Sequence, residues 1–156
     1  MEVFLEQFIP SDKSKRWLKN IKTILTVVMI IGIALFFTIS PLLGLIIEIV
    51  TVIFFLVTYF SFIDYEYELF NGNIDVSKIY SGSRRKIAQK INKEDVEFLY
   101  ESSNNINSKQ ALFNKNIKEL KIYTFQLKGG KKVQLALNEE LENTIKIIYR
   151  GKIEVR

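Results

Sequence analysis

From Thr23 to Ile63 the chain carries one charged residue, Glu48, and no other feature limits its possible folds so strongly. A helix rises about 1.5 Å per residue, so about 20 residues cross a hydrocarbon core roughly 30 Å thick. The run is about twice that length, and soluble core helices rarely stay apolar on every face for so long. It predicts a membrane α-helical hairpin of two transmembrane helices within residues 23–63, the first over about 20–39 and the second over about 42–62. Ser40-Pro41 divides them. Proline lacks an N–H, disfavours helix at the preceding residue and suits the first turn of a new helix.

Lys13, Lys15, Arg16, Lys19 and Lys22 precede the first span, with Trp17 at interface depth, whereas the Ser40-Pro41 turn has no Lys or Arg beside it. The positive-inside rule then puts both termini in the cytoplasm of a multi-pass cell-membrane protein, with the bilayer as its first partner. A cleaved signal peptide is the rival reading of residues 1–39, the head and first span. Its apolar core would be too long, and no small-x-small site follows it, so an uncleaved anchor is expected.

Histidine and cysteine are both absent. That removes disulfides, thiol nucleophiles, His-based triads and His-containing zinc sites. The net charge of +5 is mild; it suits an anionic leaflet and falls short of a nucleic-acid footprint. No catalytic set, cofactor, metal or nucleic-acid partner is expected.

The head, residues 1–22, places Phe4, Leu5, Phe8 and Ile9 on one helical face opposite Glu2 and Glu6. This fits a short interfacial helix ending before Pro10, and equally a segment docked on the domain that follows.

Residues 64–156 read as an α+β cytoplasmic domain. Tyr65, Tyr67 and Leu69 alternate along a strand, Asn71-Gly72 is a strong hairpin signal, and Ile74–Tyr80 returns. After Ser81-Gly82-Ser83, Arg84–Ile91 forms a third strand with Ile87 and Ile91 predicted inward, and Asp95–Tyr100 a short fourth element. A polar loop spans 101–109, and 110–119 fits a helical turn or a strand. Leu120–Lys128 and Lys131–Leu137 flank a Gly129-Gly130 turn. Asn138 then caps an amphipathic helix over about 139–150 with Leu141, Ile145 and Ile148 inward and Gly151 as its C-cap. An antiparallel sheet or partly closed barrel with a C-terminal closing helix is expected.

That order resembles the bacterial PH-like domains that often follow transmembrane hairpins. Asp64-Tyr-Glu-Tyr-Glu-Leu-Phe-Asn-Gly-Asn-Ile-Asp-Val-Ser-Lys-Ile79, followed by Arg84-Arg85-Lys86, also resembles the signature of an uncharacterised family of small two-span membrane proteins of low-GC Gram-positive bacteria. Val76-Ser77 departs from the Ile-Asp of that pattern. The resemblance implies an architecture and transfers no site.

Two candidate sites remain. Glu48 lies about 10 Å inside the turn by helix rise; an intramembrane carboxylate faces a partner, a cavity or a proton path, or more plainly is protonated or reaches interfacial water. Gly32, Ala34 and the Ser40-x-x-x-Gly44 spacing permit close helix contact. Arg84, Arg85, Lys86 and Lys90, with Lys93, form the densest basic cluster. It fits lipid-headgroup contact, although a solvated strand edge is the plainer reading. Tyr65, Tyr67, Tyr80 and Tyr100 read as packing residues, and Asp64, Glu66 and Glu68 as solvated carboxylates rather than a cation site. The preferred function is a non-catalytic membrane-anchored protein whose β domain engages a protein, its own copies as a homo-oligomer, or lipid headgroups. The alternative is a small oligomeric transporter or channel component using Glu48.

Overall fold

The computed structural model describes residues 4–11, 15–102, 105–114, 117 and 119–154. Glu2 of the predicted head helix, Lys13 of the basic flank and parts of the 101–119 segment lie outside the described residues, as do the side chains of Lys15 and Arg16.

The first described element is a strand, β1 (Phe4–Ile9), and not the interfacial helix. Leu5 and Ile9 lie four apart, a spacing that satisfies both a helix face and a strand face; strand alternation with Gln7 wins because a partner edge is available. Two long helices follow, α1 (Lys15–Thr38) and α2 (Pro41–Ser61), packed on each other as a hairpin. Ser40 caps α2, its side chain accepting from the Leu43 N–H, with Pro41 in the first turn. Both helices are long and apolar enough to cross a membrane.

The chain then enters β2 (Ile63–Phe70) after one residue, Phe62. β3 (Asn73–Tyr80) and β4 (Arg84–Ile91) complete an antiparallel sheet in the order β1-β2-β3-β4. Asn71 and Gly72, with φ of 48° and 86°, make the left-handed turn the sequence predicts between β2 and β3. Since β1 pairs with β2 from Phe4↔Phe70 to Ile9↔Tyr65, the two helices are inserted within a β-hairpin. The β domain is therefore discontinuous, and the boundary expected at residue 64 leaves out one of its strands.

A second sheet holds β5 (Val96–Glu101), β6 (Lys121–Leu127) and β7 (Lys132–Leu137) in that order. Helix α3 (Glu139–Ile148) closes the core, capped by the Asn138 side chain accepting from the Leu141 N–H at 2.8 Å. The core is continuous from Tyr67, Leu69 and Val76 of the first sheet through Phe125 and Leu135 of the second to Leu141 and Ile145 of α3. Gln7 joins the two sheets at one corner: its side chain donates to the Ala136 carbonyl and accepts from the Asn138 N–H, both at 2.9 Å.

Three local expectations change. Ile87 is half exposed while Ile91 is fully buried, because Ser77 pairs with Ile87 and Val76 with Gln89, leaving Ala88 as an extra bulged residue that reverses the alternation. Among the described residues of 110–119 there is neither helix nor strand, only a bridge of Ala111 to Gln134. Helix α3 ends at Ile148 with Tyr149 as its cap, and Gly151 sits in a following short 3₁₀ turn with no positive φ.

Glu142 supplies a pH handle. Its buried carboxylate accepts from Lys146 at 2.6 Å, Lys121 at 3.0 Å and Tyr123 at 2.9 Å. Burial pushes its pKa up, but these three donors outweigh burial and leave it below the ordinary 4.5. A lowered folded pKa gives stability that is complete above the unfolded value and lost as pH falls through the folded one. Denaturant unfolding of the native chain and Glu142→Gln should thus differ most at neutral pH and converge as the pH falls below 4.5; a gap that stayed constant on further acidification would contradict this.

Candidate functional site

The sequence points to two places, the basic strand β4 and the hairpin carboxylate, and the neck between helices and sheets relates them. At the neck, Trp17 of α1 stacks on Phe62 with ring centroids 5.5 Å apart, and Tyr59 of α2 stacks on Tyr80 of β3 at 5.7 Å. The Ser81 N–H donates to the Phe62 carbonyl at 2.8 Å, hooking the β3–β4 turn onto the end of α2. On the other side the Ser11 N–H donates to Asp64 Oδ1 at 2.6 Å. Asn114 donates through Nδ2 to the carbonyls of both Pro10 (3.1 Å) and Ile63 (2.8 Å), tying the strand that leaves for α1 to the strand that returns from α2. Asp64 is consequently a buried hydrogen-bond acceptor and not the solvated carboxylate expected. Nothing in the sequence singles out Asn114, one asparagine in an Asn-rich polar stretch; only the fold gives it a partner on each strand.

The basic residues of β4 divide by position. Arg84 pairs in register with Tyr80 and so stands at the helix end of the sheet. Lys90, six residues on, is about 20 Å farther along the strand. Arg85 bridges to Glu66 and, at 2.7 Å, to Glu68; its hydrogen bond to Glu66 pushes the guanidinium pKa further up. Lys90 pairs with Asp75 at 2.9 Å. Arg84 and Lys86 are exposed and make no ion pair among the described residues. The four therefore do not act as one cluster: two are tied into the sheet, and two are presented to solvent near the neck. Of the four tyrosines, Tyr65 and Tyr67 are buried, Tyr80 stacks at the neck and Tyr100 stacks on Phe98.

Within the hairpin, glycines set the helix separation. A Cβ on Gly44 would lie 2.6 Å from the Phe36 backbone, and one on Gly32 would lie 2.5 Å from Glu48 Oε1. Glu48 thus turns toward α1, and its Oε1 is enclosed with no hydrogen-bond partner among the described residues. Thr51, one turn on, is buried but donates back to the Ile47 carbonyl at 2.8 Å, leaving no hydroxyl for the carboxylate. No group of three or more acidic side chains among the described residues is arranged to hold a metal ion.

Compared with known proteins, residues 1–154 match a family model described as a bacterial PH-like domain (DUF6106). The match takes in β1 and both helices as well as the β domain. No curated protein and no solved structure matches the chain.

Proposed function

This chain belongs to the bacterial PH-like domain family, and from that premise we propose that it is a non-catalytic, membrane-anchored interaction module. The α1–α2 hairpin spans the cell membrane, both termini stand in the cytoplasm, and the β domain is held at the inner surface to engage a protein partner, a second copy of itself or lipid headgroups. The observation that carries this reading is the bare apolar surface of the hairpin. Only Gly44 and Thr51 of α2 are buried, while Ile24, Ile30, Phe37, Leu42, Phe54 and Phe60 are among its many exposed side chains. A soluble core helix would be covered, and a patch of this size in water would aggregate.

The insertion point gives independent support. Strands β1 and β2 pair with each other, so a hairpin that crosses must cross an even number of times. A cleavable leader is disfavoured for the same reason, because its removal would take away β1. Five basic residues ahead of the apolar run that begins at Thr23, against none at the Ser40-Pro41 turn, favour the cytoplasmic side. The non-catalytic reading rests on a sequence without His or Cys and on acidic side chains, Glu66, Glu68, Asp75 and Glu142, already engaged in ion pairs.

Carbonate-washed membranes should retain the full chain, with reporters at head and tail both inside and one at Ser40 outside. A monodisperse chain in the detergent-free supernatant, or head and tail reporting opposite sides, would overturn it. A second reading, an oligomeric transporter component, is favoured by the enclosed Glu48 Oε1 alone. It expects Glu48→Gln to abolish ion or proton flux in proteoliposomes, and unchanged flux removes it.

A further inference from the structure

Beside the neck, a cleft of about 560 Å³ opens between the N-terminal half of α1 and the β3–β4 turn. Lys19, Lys22, Thr23, Thr26 and Val27 line it from α1, a spacing that forms one helical stripe. That stripe is graded: two ammonium groups at the end nearest the domain, two threonines, then valine, over about 12 Å of helix. Leu18 and Phe62 add apolar wall, and Ser81 with Gly82 closes the domain side.

Three features ask for an occupant. Lys19 and Lys22 make no ion pair among the described residues. Among the described residues the one carboxylate on the wall is Asp64, which is engaged by the Ser11 N–H and is not within ion-pair distance of either lysine. The Ser81 hydroxyl is enclosed with no hydrogen-bond partner among the described residues, a costly state for a group that can rotate about one torsion to meet an acceptor. The threonine hydroxyls, by contrast, donate to the carbonyls of Lys19 (3.0 Å) and Lys22 (2.8 Å) and have no proton left to offer an anion.

We infer that this cleft holds one anionic phospholipid of the inner leaflet, its phosphate between Lys19 and Lys22 within reach of Ser81, its glycerol beside Thr23 and Thr26, and an acyl chain along Val27. The inference rests on the membrane-anchored reading above. A free phosphate would satisfy the lysines but leave the apolar half of the cleft wet; an amphiphile matches both ends. The volume lies within the range of ordinary small-molecule sites.

Trp17, the single tryptophan, is a reporter at the site because it stacks on Phe62, a wall residue. Full-length chain in phosphatidylcholine nanodiscs carrying a minor fraction of brominated phosphatidylglycerol should show Trp17 quenching well above that given by the same fraction of brominated phosphatidylcholine. Lys19→Gln and Lys22→Gln should each cut this selectivity by about five-fold. The Arg84→Gln/Lys86→Gln pair should leave it within about two-fold, since those side chains do not line the cleft. Equal quenching by the two lipids, selectivity that survives in the double lysine variant, or an equal loss in the Arg84/Lys86 pair would overturn the site. Displacement by soluble glycerol phosphate would overturn the lipid as its occupant. A chain that fails to enter nanodiscs at all defeats the anchor reading; one that enters without lipid selectivity defeats only the cleft.

Discussion

Replacing residues 12–62 by a short glycine–serine linker should convert this chain into a soluble, monomeric and folded β domain. The two ends to be joined are already neighbours: Ile9 pairs with Tyr65, and the Ser11 N–H reaches the Asp64 carboxylate. A linker of about five residues closes an antiparallel pair whose strands are about 4.8 Å apart, and the entropy of closing so short a loop is small. None of the large apolar side chains that leave with the hairpin belongs to the domain core; Phe62, buried at the neck, stacks on Trp17, which leaves with it. The carbonyl lost with Phe62 is replaced by that of the last linker residue, available to the Ser81 N–H. Gel filtration, far-UV circular dichroism and a dispersed amide NMR spectrum would establish the result. The companion fragment 64–156 should behave oppositely. Without β1 it uncovers the β2 edge and leaves the Ala136 carbonyl and Asn138 N–H without their Gln7 partner. If 64–156 were the well-behaved species and the linked protein aggregated, β1 would not belong to the domain.

Tyr67 should be the most sensitive single position in that domain. It is fully buried, and its hydroxyl donates to the Leu112 carbonyl at 2.7 Å while accepting from the Ala136 N–H at 3.3 Å. One side chain of the first sheet thereby holds both the second sheet and the 105–114 segment. Burial raises its pKa well above the tyrosine range, so the phenol stays a donor at any working pH. Tyr67→Phe keeps the ring and orphans two backbone groups, which should cost about 1–3 kcal/mol. Tyr67→Ala removes the ring as well and should cost about 3–5 kcal/mol or more, enough to unfold a domain of ordinary stability. Urea unfolding of the linked protein measures both. A phenylalanine variant within about 0.5 kcal/mol of the parent would show that the hydroxyl couples nothing.

The elements easiest to read in the sequence were those fixed by neighbours along the chain. Asn71-Gly72, Ser40-Pro41 and the Asn138 cap each act within four residues, and the structure places a turn, a helix start and a helix start there. What escaped depends on partners far away. The Ala88 bulge exists because β4 must register with β3, and no local signal marks it. The strand at residues 4–9 is ambiguous until β2 offers an edge to pair with. Gly151 looks like a helix stop, but Tyr149 turns inward first, its hydroxyl donating to the Gly72 carbonyl at 2.6 Å, and that contact ends α3 early. The paired state of Arg85 and Lys90 follows from cross-strand carboxylates, so a basic run that looked uniform separates into engaged and free members.

A strand made first and matched only after the helices between have been synthesised imposes an order on biogenesis. At ribosomal speeds of about 5–20 residues per second, β1 waits several seconds before β2 emerges. The waiting segment can be used only if the returning chain comes back to the compartment where it was left. On the membrane-anchored reading proposed above, completion of the sheet becomes a parity check on translocation: an odd number of crossings would strand the two halves on opposite faces of the bilayer and leave an unfinished edge for proteolysis.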